Sequence, residues 1–209
     1  MVRHAGNVRR ESDQTRRHDP GNFPRVVGRN GLHAFLEREL LETILSLVDQ
    51  ADFVERVHPG IGLELCAATG VASGTLELLM NDAPLRQIIS TLTASGHIGC
   101  FEGRLYRLIP GTGHHDSWHS DVGEDRLVAM SLNLSRGKTD GGELQIRRAD
   151  SAMIMGEMVN ETPGDAVIFR IDPSLRHRVS AVTGGAPRTA YAGWFRASPE
   201  FSALTRRAG

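Results

Sequence analysis

The chain has 209 residues, a formal net charge of −1, and 40% hydrophobic against 23% charged residues. That length fits one domain, which buries roughly 70% of its unfolded surface and needs neither disulfide nor structural metal to fold. The near-neutral charge argues against a binder of nucleic acid or anionic membrane, both of which need an excess of base. No apolar run reaches the ~20 residues of a membrane span.

In chain order, residues 1–28 read as a flexible lead-in. Arg3, Arg9, Arg10, Arg16 and Arg17 are interleaved there with Glu11, Asp13 and Asp19, and no apolar core of a signal peptide is present. The only cysteines, Cys66 and Cys100, form no CxxC pair, which points to a reducing, cytoplasmic setting. From Gly31, apolar residues at Leu32, Phe35, Leu36, Leu40, Leu41, Ile44, Leu45 and Leu47 recur every three or four positions, predicting an amphipathic helix to about Val54. Further helices are expected over 74–80 and 84–93, separated by Asn81-Asp82, with Pro84 in the first turn of the later one.

After Gly96 the period shortens. Short β-prone runs cover 98–109, 125–135, 141–148, 153–159, 165–171, 177–182 and 188–197, divided by turn signals such as Pro110-Gly111, Asp140-Gly141-Gly142 and Pro163-Gly164-Asp165. Helices first and strands afterwards predict a mainly β chain with N-terminal helices packed on a two-sheet jelly roll. A single domain over 29–209 follows, its helical part at 29–95 and its jelly-roll core at 96–198. No helical pattern interrupts the later strands, which argues against a parallel α/β fold.

Of nine histidines, His119 stands in His119-Ser120-Asp121. On extended backbone, residues two apart point to one face, so this imidazole and carboxylate can share a cation. His177 is the sole histidine downstream and supplies a third ligand. Two histidines and one carboxylate suit non-haem Fe(II), leaving adjacent coordination positions open. On the tripeptide alone, an exposed loop histidine is the favoured reading of His119. His114-His115-Asp116 offers a second register of the same pattern.

The order of parts carries a resemblance. Pro110-Gly111 is followed by Trp118-His119-Ser120-Asp121, Leu132-Asn133-Leu134 and Asp140-Gly141-Gly142-Glu143-Leu144. Then come Pro163-Gly164-Asp165-Ala166-Val167-Ile168-Phe169, His177-Arg178-Val179 and Gly185-Ala186-Pro187-Arg188. Over about residues 97–197 this resembles the prolyl 4-hydroxylase-like branch of the 2-oxoglutarate/Fe(II)-dependent dioxygenases. The resemblance implies a distorted double-stranded β-helix, with His119, Asp121 and His177 as metal ligands; His114-His115-Asp116 then becomes a polar loop at the site's mouth. It implies Fe(II), 2-oxoglutarate and O2, with ascorbate as a reductant. The implied reaction is hydroxylation of an aliphatic C–H, with release of succinate and CO2. Retention of Asp121 favours hydroxylation over halogenation.

In this family an arginine or lysine on the strand after the distal histidine holds the far carboxylate of 2-oxoglutarate, and Arg188 takes that position. Arg188, Ala190, Ala192 and Trp194 share an inward face, and a buried guanidinium calls for an anionic partner. Arg176, Arg178 and Arg196 fit less well by position or facing. The chain departs from the family pattern at Ala190, where a serine or threonine is common, and at Leu108-Ile109, where a tyrosine is common; Tyr106 is a candidate substitute. The substrate is expected to be an amino-acid side chain, free or in a peptide, or a related small metabolite. Its pocket is expected from 111–118, 137–142, 148–160 and the N-terminal helices. No nucleic-acid or membrane partner is expected, and nothing bears on oligomeric state. The rival readings are a non-catalytic, cupin-like metal-binding jelly roll and an oxygenase acting on alkylated nucleic acid.

Overall fold

The computed structural model describes residues 38–123, 125–159 and 162–201. The lead-in expected over 1–28 and the helix start at Gly31 lie outside the described residues. The elements in order are α1 (Arg38–Asp49), β1 (Phe53–His58), β2 (Gly62–Ala67), α2 (Val71–Met80), α3 (Ala83–Thr93) and β3 (Cys100–Leu108). They continue with β4 (His115–Asp116), β5 (Arg126–Asn133), β6 (Thr139–Gly141), β7 (Leu144–Arg148), β8 (Ile154–Met158) and β9 (Ala166–Arg170). The last are β10 (Leu175–Val179), β11 (Val182–Gly185) and β12 (Arg188–Arg196). The main sheet runs β1-β2-β3-β12-β5-β9, with β4 also paired to β2, beside a three-stranded sheet β10-β7-β8 and a β11-β6 ribbon. Every strand pairing is antiparallel, as expected for a jelly roll.

Alternation along the strands gives the main sheet two buried faces. On one, Phe101, Leu105, Tyr191 and Phe195 pack against Ile44, Leu76 and Ile89 of the three helices. On the other, Tyr106, Leu108, Ala190 and Phe169 meet Leu144, Ile146, Leu175 and Val179 of the smaller sheet. The expected inward face of β12 is therefore borne out. Burial on both sides explains why β5 reads as a nearly continuous apolar run instead of a polar–apolar alternation. Gly103 and Gly193 face one another across β3 and β12. A Cβ at Gly193 would lie 2.1 Å from the Glu102 carbonyl oxygen, so any larger residue would force these central strands apart.

Three expectations need correction. The first helix ends at Asp49 rather than near Val54, and a β1–β2 hairpin lies between the helices, so strands do not wait for residue 96. Val54, Val57 and Ile61 continue a three- and four-residue spacing that imitates a helix, yet they are exposed on the hairpin. The turn at Pro59-Gly60, with Gly60 at φ 73°, ends β1 and is the signal against a helix. The strand expected over 177–182 is broken, β10 stopping at Val179 and β11 starting at Val182. Between them Ser180 exchanges backbone and side-chain hydrogen bonds with Glu143.

Asn81 closes α2 and ties it to the sheet. It is 4% exposed. Its amide donates to the Glu77 and Phe101 carbonyls, each at 2.9 Å, and accepts from the Phe101 N–H at 2.7 Å. Asn81→Ala leaves two Phe101 backbone groups unpaired in the core and is expected to lower unfolding free energy by about 2–3 kcal/mol. Urea denaturation checks this against exposed Thr43→Ala, expected to change stability by under ~0.5 kcal/mol.

Candidate active site

Between the sheets lies a cleft open to solvent. Its lining includes His119, Asp121, His177, Tyr106, Ser131 and Trp194, together with Glu64, Arg104 and Asp116.

His119 and His177 form an isolated antiparallel bridge. The N–H of each donates to the carbonyl of the other at 3.0 Å. Directly paired residues point to the same face, and the two imidazole centroids are 4.3 Å apart. Asp121, two residues on, places one carboxylate oxygen 3.5 Å from His119 Nε2 and the other 3.2 Å from His177 Nε2. One donor atom from each of the three lies within 4.8 Å of the others, a grouping able to hold a metal ion. His119 Nδ1 faces the Ser117 carbonyl at 2.7 Å, which keeps a proton on Nδ1 and turns Nε2 toward Asp121. The Phe169 ring packs edge-on against His177 with centroids 5.1 Å apart.

Electrostatics in this group favour positive charge at its centre. Burial works to lower His119, but the hydrogen bond to Asp121 and the charge of Asp116 outweigh it, and its pKa is pushed up to about 9. Burial likewise opposes ionisation of Asp121, yet hydrogen bonds from His119, His177 and the Trp194 indole hold its carboxyl well below the usual range. Arg126 stacks on the other side of this arrangement, 3.6 Å from the Trp194 ring centroid.

The second histidine register is put to other use. His114 Nδ1 accepts the Ile109 N–H at 3.0 Å, closing the turn after β3. Asp116, on the short strand β4, accepts the Val179 N–H at 2.9 Å and lines the cleft. Among the described residues, His114 and Asp116 join no grouping able to hold a metal. His58, Glu64 and Cys66 do form such a grouping. There, however, Glu64 Oε1 already accepts from Arg104 at 2.6 Å, His58 at 2.8 Å and Cys66 at 3.2 Å, which marks a proton-bonded network.

Arg188 is 4% exposed. Its Nε donates to the Gly142 carbonyl at 3.0 Å, Nη2 to Ser131 Oγ at 3.2 Å, and Nη1 to the Tyr106 hydroxyl. Every one of these partners is neutral. Arg188 sits behind Tyr106 and Ser131, which line the cleft in its place. Gly142, at φ 78°, is needed there because a Cβ would meet Arg188 Cδ at 2.8 Å. The other arginines weighed for this position are engaged elsewhere: Arg178 with Gln145 and the Trp118 ring, Arg196 with Asp125 and Glu102, Arg176 with backbone carbonyls.

Sequence reasoning missed Ser131, Trp194 as a partner of Asp121, and the Glu64–Arg104 pair. The position of Ser131 is readable only once β5 is known to lie beside β12, where Ala192 opposes it. Of the segments expected to form a substrate pocket, 111–118 contributes Asp116 and the carbonyl of Ser117. The described parts of 137–142 and 148–160 do not line the cleft, and the helices lie on the opposite face of the main sheet.

Residues 103–196 match the model of the 2OG-Fe(II) oxygenase superfamily. A prolyl-4-hydroxylase from Pseudomonas putida has a similar structure, with TM-score 0.62 and 23% identity, covering 82% of this chain and 93% of that one. An oxidoreductase of the 2OG-Fe(II) oxygenase family from Burkholderia pseudomallei gives TM-score 0.60 and 16% identity, covering 83% and 87%. A prolyl hydroxylase from Trichoplax adhaerens, in complex with a hypoxia inducible factor oxygen degradation domain peptide fragment, gives 0.52 and 17%, covering 76% of each chain. No curated protein matches the chain significantly in sequence. Residues 103–196 are thus similar to the 2OG-Fe(II) oxygenase superfamily, and the fold is the double-stranded β-helix of the solved structures that the chain resembles, two of them prolyl hydroxylases. The match supports an oxygenase over the non-catalytic jelly-roll reading.

Both cysteines are buried and free. Burial, then the charge of Glu64, pushes Cys66 up to about 11, and burial pushes Cys100 up as well. At pH 8 roughly a thousandth of Cys66 is thiolate. Native protein is therefore expected to resist thiol-reactive dye at pH 8 for both residues and to release two equivalents on denaturation. Rapid native labelling of Cys66 would contradict its place in the Glu64 network.

Proposed function

We propose that His119, Asp121 and His177 hold Fe(II), that Arg188 anchors the distal carboxylate of 2-oxoglutarate, and that the protein hydroxylates an aliphatic C–H bond. The substrate is an amino-acid side chain, free or in a peptide, or a related small metabolite. The observation that carries this reading is the meeting of two imidazoles and one carboxylate on the wall of a cleft backed by a buried arginine with only neutral partners. The donor set fits iron(II), which accepts imidazole and carboxylate together and keeps open positions beside them. When bound, Fe(II), 2-oxoglutarate and O2 supply the oxidation, one oxygen atom going to the substrate C–H and the other to succinate as CO2 leaves.

The residues themselves bind, orient and exclude water. The Ser117 carbonyl fixes the His119 ring, and the Trp194 indole holds the Asp121 carboxylate. Nη1 and Nη2 of Arg188 each carry a second N–H beyond those given to Tyr106 and Ser131, enough for a two-point grip on a carboxylate. Ser131 supplies from β5 the hydroxyl that Ala190 lacks, and Tyr106 supplies the phenol absent at Leu108-Ile109. Leu144, Phe169 and Val179 give the cleft an apolar wall that keeps water from the oxidant. A peptide-bound relative from Trichoplax adhaerens supports a peptide or small-molecule substrate.

The test is succinate formation with Fe(II), ascorbate and 2-oxoglutarate, alongside equilibrium dialysis of Fe(II). His177→Ala and Asp121→Ala are expected to abolish turnover and iron binding, whereas Asp116→Ala keeps iron. Iron loss in Asp116→Ala with retention in Asp121→Ala would move the ligands to the 114–116 register. Arg188→Ala removes a buried charged contact of about 2–5 kcal/mol. It is expected to weaken 2-oxoglutarate binding roughly 30- to 3,000-fold with iron affinity unchanged. Absence of succinate in the parent protein sinks the reading.

A further inference from the structure

The cleft holds a second arginine that the proposed metal and cosubstrate contacts do not use. Arg104 and Arg188 lie on the same face of the main sheet, but at different levels. Arg188 opposes Leu108, while Arg104 opposes Ala192, two residues from the Trp194 that bonds Asp121. Four residues of strand separate the two levels, about 13 Å of backbone. One arginine therefore starts from the cosubstrate end of the cleft and the other from the metal end. Both guanidinium groups contact Tyr106, Arg188 at the hydroxyl and Arg104 at 5.6 Å from the ring centroid.

Arg104 is fixed along one edge and free along the other. Its Nε donates to Glu64 Oε1 at 2.6 Å and its Nη2 approaches Glu64 Oε2 at 3.5 Å. Glu64 is itself 6% exposed and held by His58 and Cys66, so it cannot swing away. Burial opposes its ionisation, but the hydrogen bond and charge of Arg104 keep the carboxyl below its usual range. Nη1 of Arg104 makes no hydrogen bond among the described residues, and the side chain is 35% exposed on the cleft wall. A guanidinium clamped by a buried acid and open on its remaining edge is a preorganised receptor for a carboxylate.

We infer that Arg104, oriented by Glu64, binds a carboxylate of the substrate beside the metal centre. The substrate is then a small molecule with a free carboxylate, of the free amino-acid type, and not an internal residue of a peptide. This rests on the site being a 2-oxoglutarate-dependent hydroxylase whose cosubstrate is held by Arg188.

The test uses the full chain loaded with Zn(II) and 2-oxoglutarate, which cannot turn over, and calorimetric titration. The probes are the twenty free L-amino acids, their C-terminal amides and short peptides carrying the same residues internally. At least one free amino acid is expected to bind, its amide roughly 30-fold or more weaker. Arg104→Gln is expected to lose the free acid by the same factor and to change 2-oxoglutarate affinity by less than about 3-fold; Arg104→Lys recovers part of the loss. The comparison of acid with amide needs no variant, so a poorly folding mutant does not blunt it. Equal binding of acid and amide, binding only of internal peptides, no binding by any free amino acid, or loss of 2-oxoglutarate in Arg104→Gln each overturns the inference. Failure of the parent protein to bind 2-oxoglutarate at all would instead bring down the hydroxylase reading, and this inference with it.

Discussion

Two backbone hydrogen bonds, exchanged between His119 and His177 at 3.0 Å each, are the constraint on which the site depends. They join segments far apart in sequence and fix both imidazoles to one face. The register of β10 is then decisive. His177 opposes Ile146, an inward core residue, while Arg176 and Arg178 oppose Arg147 and Gln145. A slip of one residue would carry His177 outward and bring an arginine in its place. The apolar contacts of Leu175 and Val179, on the same face as His177, are what hold that register. Packing and chemistry are therefore not separable on this strand.

The cleft has room because the middle of one face of β12, between Arg188 and Trp194, is small. Ala190 and Ala192 sit where the opposite face carries Tyr191 and Phe195, so the helical side of β12 is filled by large rings while the other side leaves space beside its packed neighbours. The three helices take no direct part in the site; they back the sheet that carries Tyr106, Ser131 and Arg188. Support of this kind matters for polar groups at low exposure. A buried guanidinium among neutral acceptors remains in place only if its Gly142, Tyr106 and Ser131 partners are rigid.

Legibility followed the physics of each signal. The convergence of His119, Asp121 and His177 was legible because strand geometry restricts spacing and only one histidine follows His119. Arg188 was readable through the inward alternation of β12. The β1–β2 hairpin was not, since Val54, Val57 and Ile61 keep a helical spacing while lying exposed on strands. The break at Ser180 was hidden by a side chain–backbone exchange with Glu143 that no local pattern announces. Ser131 could not be placed without knowing that β5 neighbours β12.

The same logic separates what this chain shares from what individualises it. The family match spans residues 103–196 and so includes every proposed ligand of metal and cosubstrate. Glu64 lies outside it, on the hairpin that imitates a helix, and reaches the cleft only because β2 pairs with β3 and β4. That pairing sets a buried acid against Arg104 at the very edge of the matched segment. The wall facing the His119–Asp121–His177 group is thus assembled from one residue of the matched segment and one from a preceding hairpin that the match does not cover. Changes at Glu64 can alter that wall while leaving the two hydrogen bonds of the His119–His177 bridge in place, because that bridge makes none to β1 or β2, whereas Tyr106 of the Arg188 cradle pairs with Cys66 of β2. On the proposed reading, substitution at Glu64 resets selectivity for substrate while the proposed metal ligands stay in place.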